Sequence, residues 1–318
     1  MATPLTDTPE ALAATHPTAG GGAFALRAPD AVAWSLSHDW MDVVAEAGEQ
    51  AAAGAGLEAI FLGVGPGTGA LFGAFLHRLD RGQAQGGLRR AAYEDVAAFV
   101  RDGARLAVAM GRKIALAGLW WSGGLIAAPS GPEADDPRFR REVYREYGAF
   151  VSSLRGAYVT AEDAGTTPDD MAAVFETTRF ATCIPEAAGG SGNPSLATAR
   201  GVLCGLAAAR QALEGREIAG GRYAVLGLGQ VGAELAAGLL AEGASYVVAG
   251  DIDAARCELV RRRAVAGAPL EVRQLAPDDL SLLQEPCDAL LPCALGGVLG
   301  PKTLPLLRTR LVVPASNN

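Results

Sequence analysis

The stretch Tyr223-Ala224-Val225-Leu226-Gly227-Leu228-Gly229-Gln230-Val231-Gly232, followed by the Ala- and Leu-rich run Ala233 to Ala241, decides the fold of the C-terminal half. Tyr223 to Leu226 is β-prone, and Ala233 to Ala241 has the composition of a helix. In a strand–turn–helix of this kind the first glycine turns the chain tightly. The second lets backbone approach a pyrophosphate, and the third lets helix and strand pack closely. The N-terminus of the helix adds unpaired N–H groups and partial positive charge for the anion. A second β-prone run, Ser245 to Ala249, leads to Asp251, nineteen residues past Gly232. A carboxylate there accepts both hydroxyls of an adenosine ribose and repels a 2′-phosphate, which points to NAD rather than NADP. Glycine spacing alone is weak in a chain with 41 glycines, so the flanking strands, helix and acid carry the assignment.

Upstream, Pro194 to Leu213 is a long Ala-rich helical pattern, approached through the Gly-rich segment Gly189 to Asn193, a place where a chain can hinge. The 318 residues suffice for two domains with a cleft between them. The expected architecture is α/β throughout: a leader at 1–22, an N-terminal α/β substrate domain at 23–188, and a doubly wound parallel Rossmann sheet at 189–318. Within the N-terminal half, Glu58 to Gly65 and Ala70 to Leu79 read as strands around Gly-Pro-Gly-Thr-Gly. Tyr93 to Ala109 reads as a helix ending at Met110-Gly111, with Glu94, Asp95, Arg101, Asp102 and Arg105 on its solvent face. Ile114 to Trp121 reads as a buried strand, Pro137 to Leu154 as a helix, and Ala157 to Thr160 as a strand entering an acidic turn. The leader mixes Thr, Pro, Ala and Gly without periodicity, which predicts disorder, and it lacks the basic start and apolar core of a signal peptide.

The net charge of −8, with no long basic run, argues against nucleic acid or an anionic membrane as partner and leaves a small molecule. Ala59 to Leu76 is uncharged, but five glycines and Pro66 would break a spanning helix. Five scattered cysteines and three distant histidines have neither ligand spacing nor a disulfide pattern, so no metal site is expected. The cysteines read as small buried residues of a cytoplasmic protein.

Beyond the glycine turn, several blocks stand in a definite order. They are Gln85-Gly86-Gly87, Met110-Gly111-Arg112-Lys113, Tyr158-Val-Thr-Ala161-Glu-Asp163-Ala-Gly-Thr-Thr167, Gly192-Asn-Pro-Ser195, Pro292-Cys293-Ala294-Leu-Gly296 and Ser316-Asn317-Asn318. With these, the chain from about Gly56 onward resembles the Glu/Leu/Phe/Val dehydrogenase family, and most closely its leucine dehydrogenase branch. The resemblance implies an oligomeric enzyme that oxidatively deaminates an L-amino acid with NAD. It implies that Gly86, Gly87 and Lys113 hold the substrate carboxylate, that Asp163 is the acid/base, and that Gln85, Met110 and Ala161 adjoin the substrate. On the cofactor side it implies Thr198 and Asn317 near the nicotinamide, together with Gln230, Val231, Ile252, Cys293 and Ala294. Family members continue, past the position of Asn318, through further helices that return to the substrate domain, so the expectation is either a cut fragment or an open side-chain pocket.

Physical chemistry is consistent with these roles. An ammonium beside backbone N–H groups suits a carboxylate, and an Asp in a partly dry cleft moves protons at neutral pH. Lys113 is one of two lysines, with Lys302, against twenty-five arginines, so a compact ammonium is selected where Arg is the default cation. Taken without the family, Lys113 is also compatible with a surface charge, Asp163 with an N-cap or turn residue, and Gln85 with an exposed loop.

One departure stands out. The family carries a second lysine twelve residues after the first, where its amine polarises the reacting carbonyl; this chain has Leu125 in Ser122-Gly123-Gly124-Leu125. Trp120 and Trp121, which precede that turn, would fill the vacated space or belong to the core. The expectation is an NAD-dependent oxidoreductase acting on the CH–NH₂ or C=N group of an amino acid or derived imine, with weak ordinary deamination. The alternative is a non-catalytic module that binds nucleotide and carboxylate.

Overall fold

The computed structural model describes residues 4–15, 22–27, 35–54, 56–80, 82–118, 122–128, 136–294 and 297–316, with the backbone alone for 122–128. The chain divides into two compact units, Met1–Asn193 and Pro194–Asn318, so the division falls five residues after the expected boundary at 188.

The first unit runs α1 (Pro9–Thr15), β1 (Ala23–Leu26), β2 (Ser35–Leu36), α2 (Met41–Ala51), β3 (Ala59–Val64), β4 (Leu71–Leu76), β5 (Ala84–Arg90), α3 (Val96–Leu116), β6 (Ser122–Ala128), α4 (Pro137–Ser153), β7 (Tyr158–Glu162) and α5 (Pro168–Phe175). Its seven strands form one mixed sheet in the order β2-β1-β3-β4-β6-β5-β7. The pairings from β2 through β4 to β6 are antiparallel, whereas β6, β5 and β7 run parallel. β4 shows why the charge-free stretch is a strand and not a membrane segment. All six of its residues are buried, with Leu71 and Phe75 packing toward α2 and α3 and Phe72, Ala74 and Leu76 toward α4 and α5. A strand covered on both faces needs no polar alternation.

Three expectations are corrected here. The segment expected to be a disordered leader contains α1, whose Leu12 is 1% exposed in the core beside α2 and α3, and Asp7 O accepts a bond from Val96 N–H. Leu12, with Leu5 packed against the same core, docks the segment. The helix expected to stop at Met110-Gly111 continues to Leu116, carrying Lys113 in its last turn. Gly111 does not break it because it is in close contact: a Cβ there would collide with the ring of His77. Asp95 caps the start of α3 by accepting from Ala98 N–H, and Gly118, at φ +69°, follows its end. Consequently Ile114 to Gly118, the described part of the expected strand Ile114 to Trp121, is not a strand. Ile114 to Leu116 is helix, the strand begins at Ser122, and Trp120 and Trp121 lie outside the described residues. A short apolar run does not by itself distinguish the two structures.

α4 and α5 cross closely at Gly148, where a Cβ would overlap Thr177 Oγ1 and the Val174 carbonyl oxygen and lie 3.3 Å from the Val174 carbon. Gly148→Ala gains at most about 1 kcal/mol of helix propensity against an overpacking cost of about 1–3 kcal/mol. Backbone is the obstacle and cannot rotate aside, so the variant is expected to be less stable by about 1–2 kcal/mol in urea unfolding. A midpoint equal to or above wild type would show that the helices separate freely.

The second unit runs α6 (Ser195–Glu214), β8 (Arg222–Leu226), α7 (Gln230–Ala241), β9 (Tyr246–Asp251), α8 (Ala254–Arg263), β10 (Leu270–Gln274), β11 (Ala289–Pro292) and β12 (Leu311–Val312). Its five strands are all parallel, in the order β10-β9-β8-β11-β12. Counted from β8 this is 3-2-1-4-5, the Rossmann order, with its switch point between β8 and β11. The chain is therefore α/β, with a mixed-sheet N-terminal unit and a doubly wound parallel C-terminal unit. Cysteine burial is less uniform than expected: Cys183 and Cys257 are buried, but Cys204 is exposed and Cys287 and Cys293 are intermediate. Among the described residues no helix is long and apolar enough to cross a membrane.

Candidate functional site

In the first unit the site is built on the parallel strands β5 and β7. Their register sets Gly86 opposite Thr160 and Gly87 opposite Ala161. Asp163 follows directly on β7, and its side chain lies against Gly87. A Cβ on Gly87 would overlap Asp163 Cβ and lie 2.9 Å from Cγ and 3.1 Å from Oδ2. This is the requirement for glycine at 87. The Gly86 carbonyl accepts a 2.7 Å bond from the buried Tyr158 hydroxyl, which orients that peptide. Thr166, 2% exposed, ties the Asp163 backbone to β5: its Oγ1 accepts from Asp163 N–H at 3.0 Å and reaches the Leu88 and Asp163 carbonyl oxygens.

Lys113, in the last turn of α3, lies within electrostatic range of Asp163. Burial around its amine lowers its pKa from the ordinary lysine value of 10.5, and the nearby Asp163 charge opposes that shift. The residue as a whole is exposed. Met110, one turn earlier on α3, is half-buried, as are Gln85 on β5 and Ala161 on β7. Gln85, Gly87 and Arg89 alternate onto one face of β5.

Arg89 and Asp102 are the residues that sequence reasoning missed. Arg89 Nη1 donates to both carboxylate oxygens of Asp102, at 2.7 and 2.9 Å, and Nη2 donates to Asp163 Oδ2 at 3.3 Å. Tyr93 Oη donates to Asp102 Oδ2 at 2.8 Å. Burial works against the Arg89 charge, yet Asp163 and Asp102 together hold its pKa above the ordinary value. Asp102 is thus not a plain solvent-face residue of α3. The available signal was the two-residue alternation from Gly87 to Arg89, which identifies a shared face once β5 is recognised as a strand.

In the second unit Gly227, at φ +98°, is pressed against β11: a Cβ there would lie 2.6 Å from Ala294 N and 2.8 Å from the Cys293 carbonyl carbon. A Cβ on Gly232 would strike the Gly227 carbonyl oxygen and sit 3.2 Å from Cys293 Cβ. Gly229 is different, because nothing lies within 4 Å of a Cβ built there. It is also the N-cap of α7, and no side chain caps that end. Open space beside uncapped N–H groups is what a pyrophosphate needs, so these residues fit a dinucleotide. Asp251 is 6% exposed. Its Oδ2 accepts from Leu228 N–H at 2.6 Å and its Oδ1 from Asp253 N–H at 2.9 Å. The carboxylate therefore fixes the glycine turn, with Arg256 Nη1 3.7 Å from the same Oδ2, and a carboxylate has about four acceptor positions in all.

Ile252 beside it is 59% exposed. Val231 is half-buried and Gln230 exposed; Gln230 Oε1 accepts a 3.1 Å bond from Ser195 Oγ, which joins the start of α6 to the start of α7. Thr198 is exposed on the first turn of α6. Cys293 and Ala294 abut the turn, and burial pushes the Cys293 thiol up to about 12, so it stays protonated. Asn317 lies outside the described residues. A cavity of about 420 Å³ between α4 and α5, lined by Arg140, Thr167, Asp170 and Glu176 among others, contains none of these residues. Its Arg140 and Asp170 are paired with each other at 2.6 Å.

Residues 71–180 match the Glu/Leu/Phe/Val dehydrogenase dimerisation domain, and residues 189–318 match the glutamate/leucine/phenylalanine/valine dehydrogenase domain. Leucine dehydrogenase of Bacillus subtilis is 37% identical over 244 residues, 76% of this chain and 64% of the relative. Phenylalanine dehydrogenase of Caldalkalibacillus thermarum is 35% identical over the same coverage. The chain thus spans 64% of the length of these relatives. Among solved structures, L-tryptophan dehydrogenase from Nostoc punctiforme superposes with a TM-score of 0.58 at 27% identity, over 85% of this chain and 74% of that one. A hetero-hexameric glutamate dehydrogenase from Thermus thermophilus shares the fold, with a TM-score of 0.66 at 23% identity over 87% of this chain and 74% of that one. With both units matching domains of one family, over residues 71–180 and 189–318, the chain belongs to the Glu/Leu/Phe/Val dehydrogenase family.

Proposed function

We propose that this protein is an NAD-dependent oxidoreductase acting on the CH–NH₂ or C=N group of an amino acid or derived imine. The supporting observation is that Asp163, packed against Gly87, also acts electrostatically on Lys113 of α3, so that an acid, a glycine strand and an ammonium belong to one neighbourhood of the first unit. An ammonium beside peptide N–H groups suits an anionic carboxylate. Lys113 and the Gly86–Gly87 backbone hold it, with Met110, Ala161 and Gln85 around the remainder of the substrate. Asp163 exchanges a proton with the substrate nitrogen or the attacking water. NAD, held over Gly227, Gly229 and Gly232 with its ribose on Asp251 and its adenine beside Ile252, supplies the hydride acceptor; Gln230, Val231, Thr198, Cys293, Ala294 and Asn317 complete its surroundings. The protein self-associates through its first unit, as the name of the matching dimerisation domain suggests.

By the resemblance the family's second lysine corresponds to Leu125, a residue of β6 that pairs with Phe75 of β4. Alignment of reacting atoms serves hydride transfer without that amine, but addition of water to an imine is slowed, typically by about 10²–10⁴ for a lost acid/base group. Ordinary oxidative deamination is therefore weak and reduction of a preformed imine is favoured. The test is NADH binding followed by a screen of amino acids with NAD, and of oxo acids with ammonia and imines with NADH. Turnover of a common L-amino acid at rates usual for such dehydrogenases would overturn the weak-deamination reading. NADH binding without any turnover would leave the chain as a nucleotide- and carboxylate-binding module.

The lowered pKa of Lys113 gives a pH dependence. The amine loses its proton below 10.5, so the affinity for an anionic oxo acid should start to fall at a pH where an ordinary lysine is still charged. The linked stability term has the opposite sign. The unfolded chain binds more proton between the folded pKa and 10.5, so this contribution rises with pH across that window; below it, the full cost of the crowded ammonium is present. Oxo-acid titrations from pH 7 to 10.5 check the binding, and an affinity that is flat throughout would remove Lys113 as the anchor.

A further inference from the structure

We infer that Arg89 is a positioning residue for Asp163, itself held in place by Asp102 and Tyr93. The inference rests on the reading of Asp163 as the acid/base. Three consecutive residues of β5 fix Asp163. The bare Cα of Gly87 receives its side chain, the Leu88 carbonyl lies within donor reach of the Thr166 hydroxyl that binds its backbone, and Arg89 binds its carboxylate.

The geometry of the guanidinium shows that Asp163 is an intended recipient. Arg89 could present Nε and one terminal nitrogen to a single carboxylate as a two-pronged fork. Instead Nη1 alone reaches both oxygens of Asp102, Nη2 is turned to Asp163, and Nε is buried with no hydrogen-bond partner among the described residues. A buried unpaired donor is unfavourable, and this orientation accepts it in order to bridge two carboxylates. The Arg89 side chain is 12% exposed, so the bridge is shielded from water far more than a surface pair.

Tyr93 extends the chain. Its hydroxyl binds the Asp102 oxygen that Arg89 also touches, and its ring packs edge-on against Phe99 at 5.3 Å. Burial first, and then the Asp102 charge, raises the tyrosine pKa, so Tyr93 remains a proton donor to Asp102 across the working pH range. Tyr93, Asp102 and Arg89 thus form a strut from the α3 side of the sheet to the reacting carboxylate. An acid/base needs such a strut because its effect depends on placement to within about 1 Å.

The experiment uses crystal structures and steady-state kinetics of the full chain carrying Arg89→Gln, Arg89→Lys or Asp102→Asn. In Arg89→Gln the Asp163 carboxylate should leave its place over Gly87 and occupy more than one rotamer. For any substrate the wild type accepts, kcat should fall about ten- to a hundredfold with KM within about threefold. Arg89→Lys, which keeps the charge, should recover most of both. Should Arg89→Gln fail to fold, Asp102→Asn decides, with a smaller loss in the same direction. Asp163 held in its original rotamer with unchanged kcat in Arg89→Gln, or in Asp102→Asn if that variant must decide, would overturn the inference. So would Arg89→Lys as impaired as Arg89→Gln. A wild type inactive in every assay would refute the proposed reaction, and the Asp163 rotamer in the crystals would still decide the role of Arg89.

Discussion

Asp163→Asn should lower turnover about 10²–10⁴-fold in every assay that the wild type supports, the usual worth of a positioned acid/base. The substitution is nearly isosteric, so the side chain still fits against Gly87, and Thr166 binds only its backbone. What disappears is the capacity to take up a proton and the charge that faces Arg89 and Lys113. The glycine turn lies in the other unit, so NADH affinity should be unchanged and fluorescence titration provides the control. A secondary effect has a definite sign. The Asp163 charge offsets part of the burial penalty on Lys113, so its loss moves the Lys113 pKa further down. Binding of an anionic oxo acid should then weaken at lower pH than in wild type. A variant equal to wild type in all active assays would show that another group moves the proton.

Gly232→Ala should abolish tight NADH binding while leaving the first unit intact. The new methyl group would overlap the Gly227 carbonyl oxygen, lie 2.9 Å from its carbon and 3.2 Å from Cys293 Cβ. None of these can move alone: Gly227 N–H is bonded to the Gly250 carbonyl at 2.7 Å, and Cys293 N–H to the Leu226 carbonyl at 2.7 Å. The turn must open away from α7, which carries the anion-binding N–H groups off their aim. Each charge-assisted bond is worth about 1.5–3 kcal/mol. Losing one raises Kd roughly ten- to a hundredfold by that figure, and losing two multiplies the effect. Overpacking should also lower the stability of the second unit by about 1–3 kcal/mol. Calorimetric titration with NADH and thermal melting measure the two effects. Wild-type affinity in Gly232→Ala would mean that the pyrophosphate does not lie on this turn.

The positions of Gly229 and Arg89 show how differently the two halves could be read. In the second unit the essential relations are local. A strand, three glycines and a helix within about twenty residues dictate a turn with free N–H groups, and the acid that follows the next strand lies beside that turn whatever the rest of the chain does. The first unit lacks that property. Gly87, Lys113 and Asp163 come from β5, α3 and the end of β7, and no local periodicity connects them. Only resemblance to a family linked them at the level of the sequence.

The sequence by itself determined the α/β class, the parallel nucleotide-binding unit and its glycine turn, because these follow from short-range backbone rules. The tertiary structure decided that the Met110–Lys113 block rides on a continuous helix, since Gly111 makes room for His77. It decided that residues 9–15 dock as a helix through Leu12, and that Asp102 turns inward to Arg89. Each of these depends on a contact with a residue remote in sequence, where side-chain packing and ion pairing override local propensity.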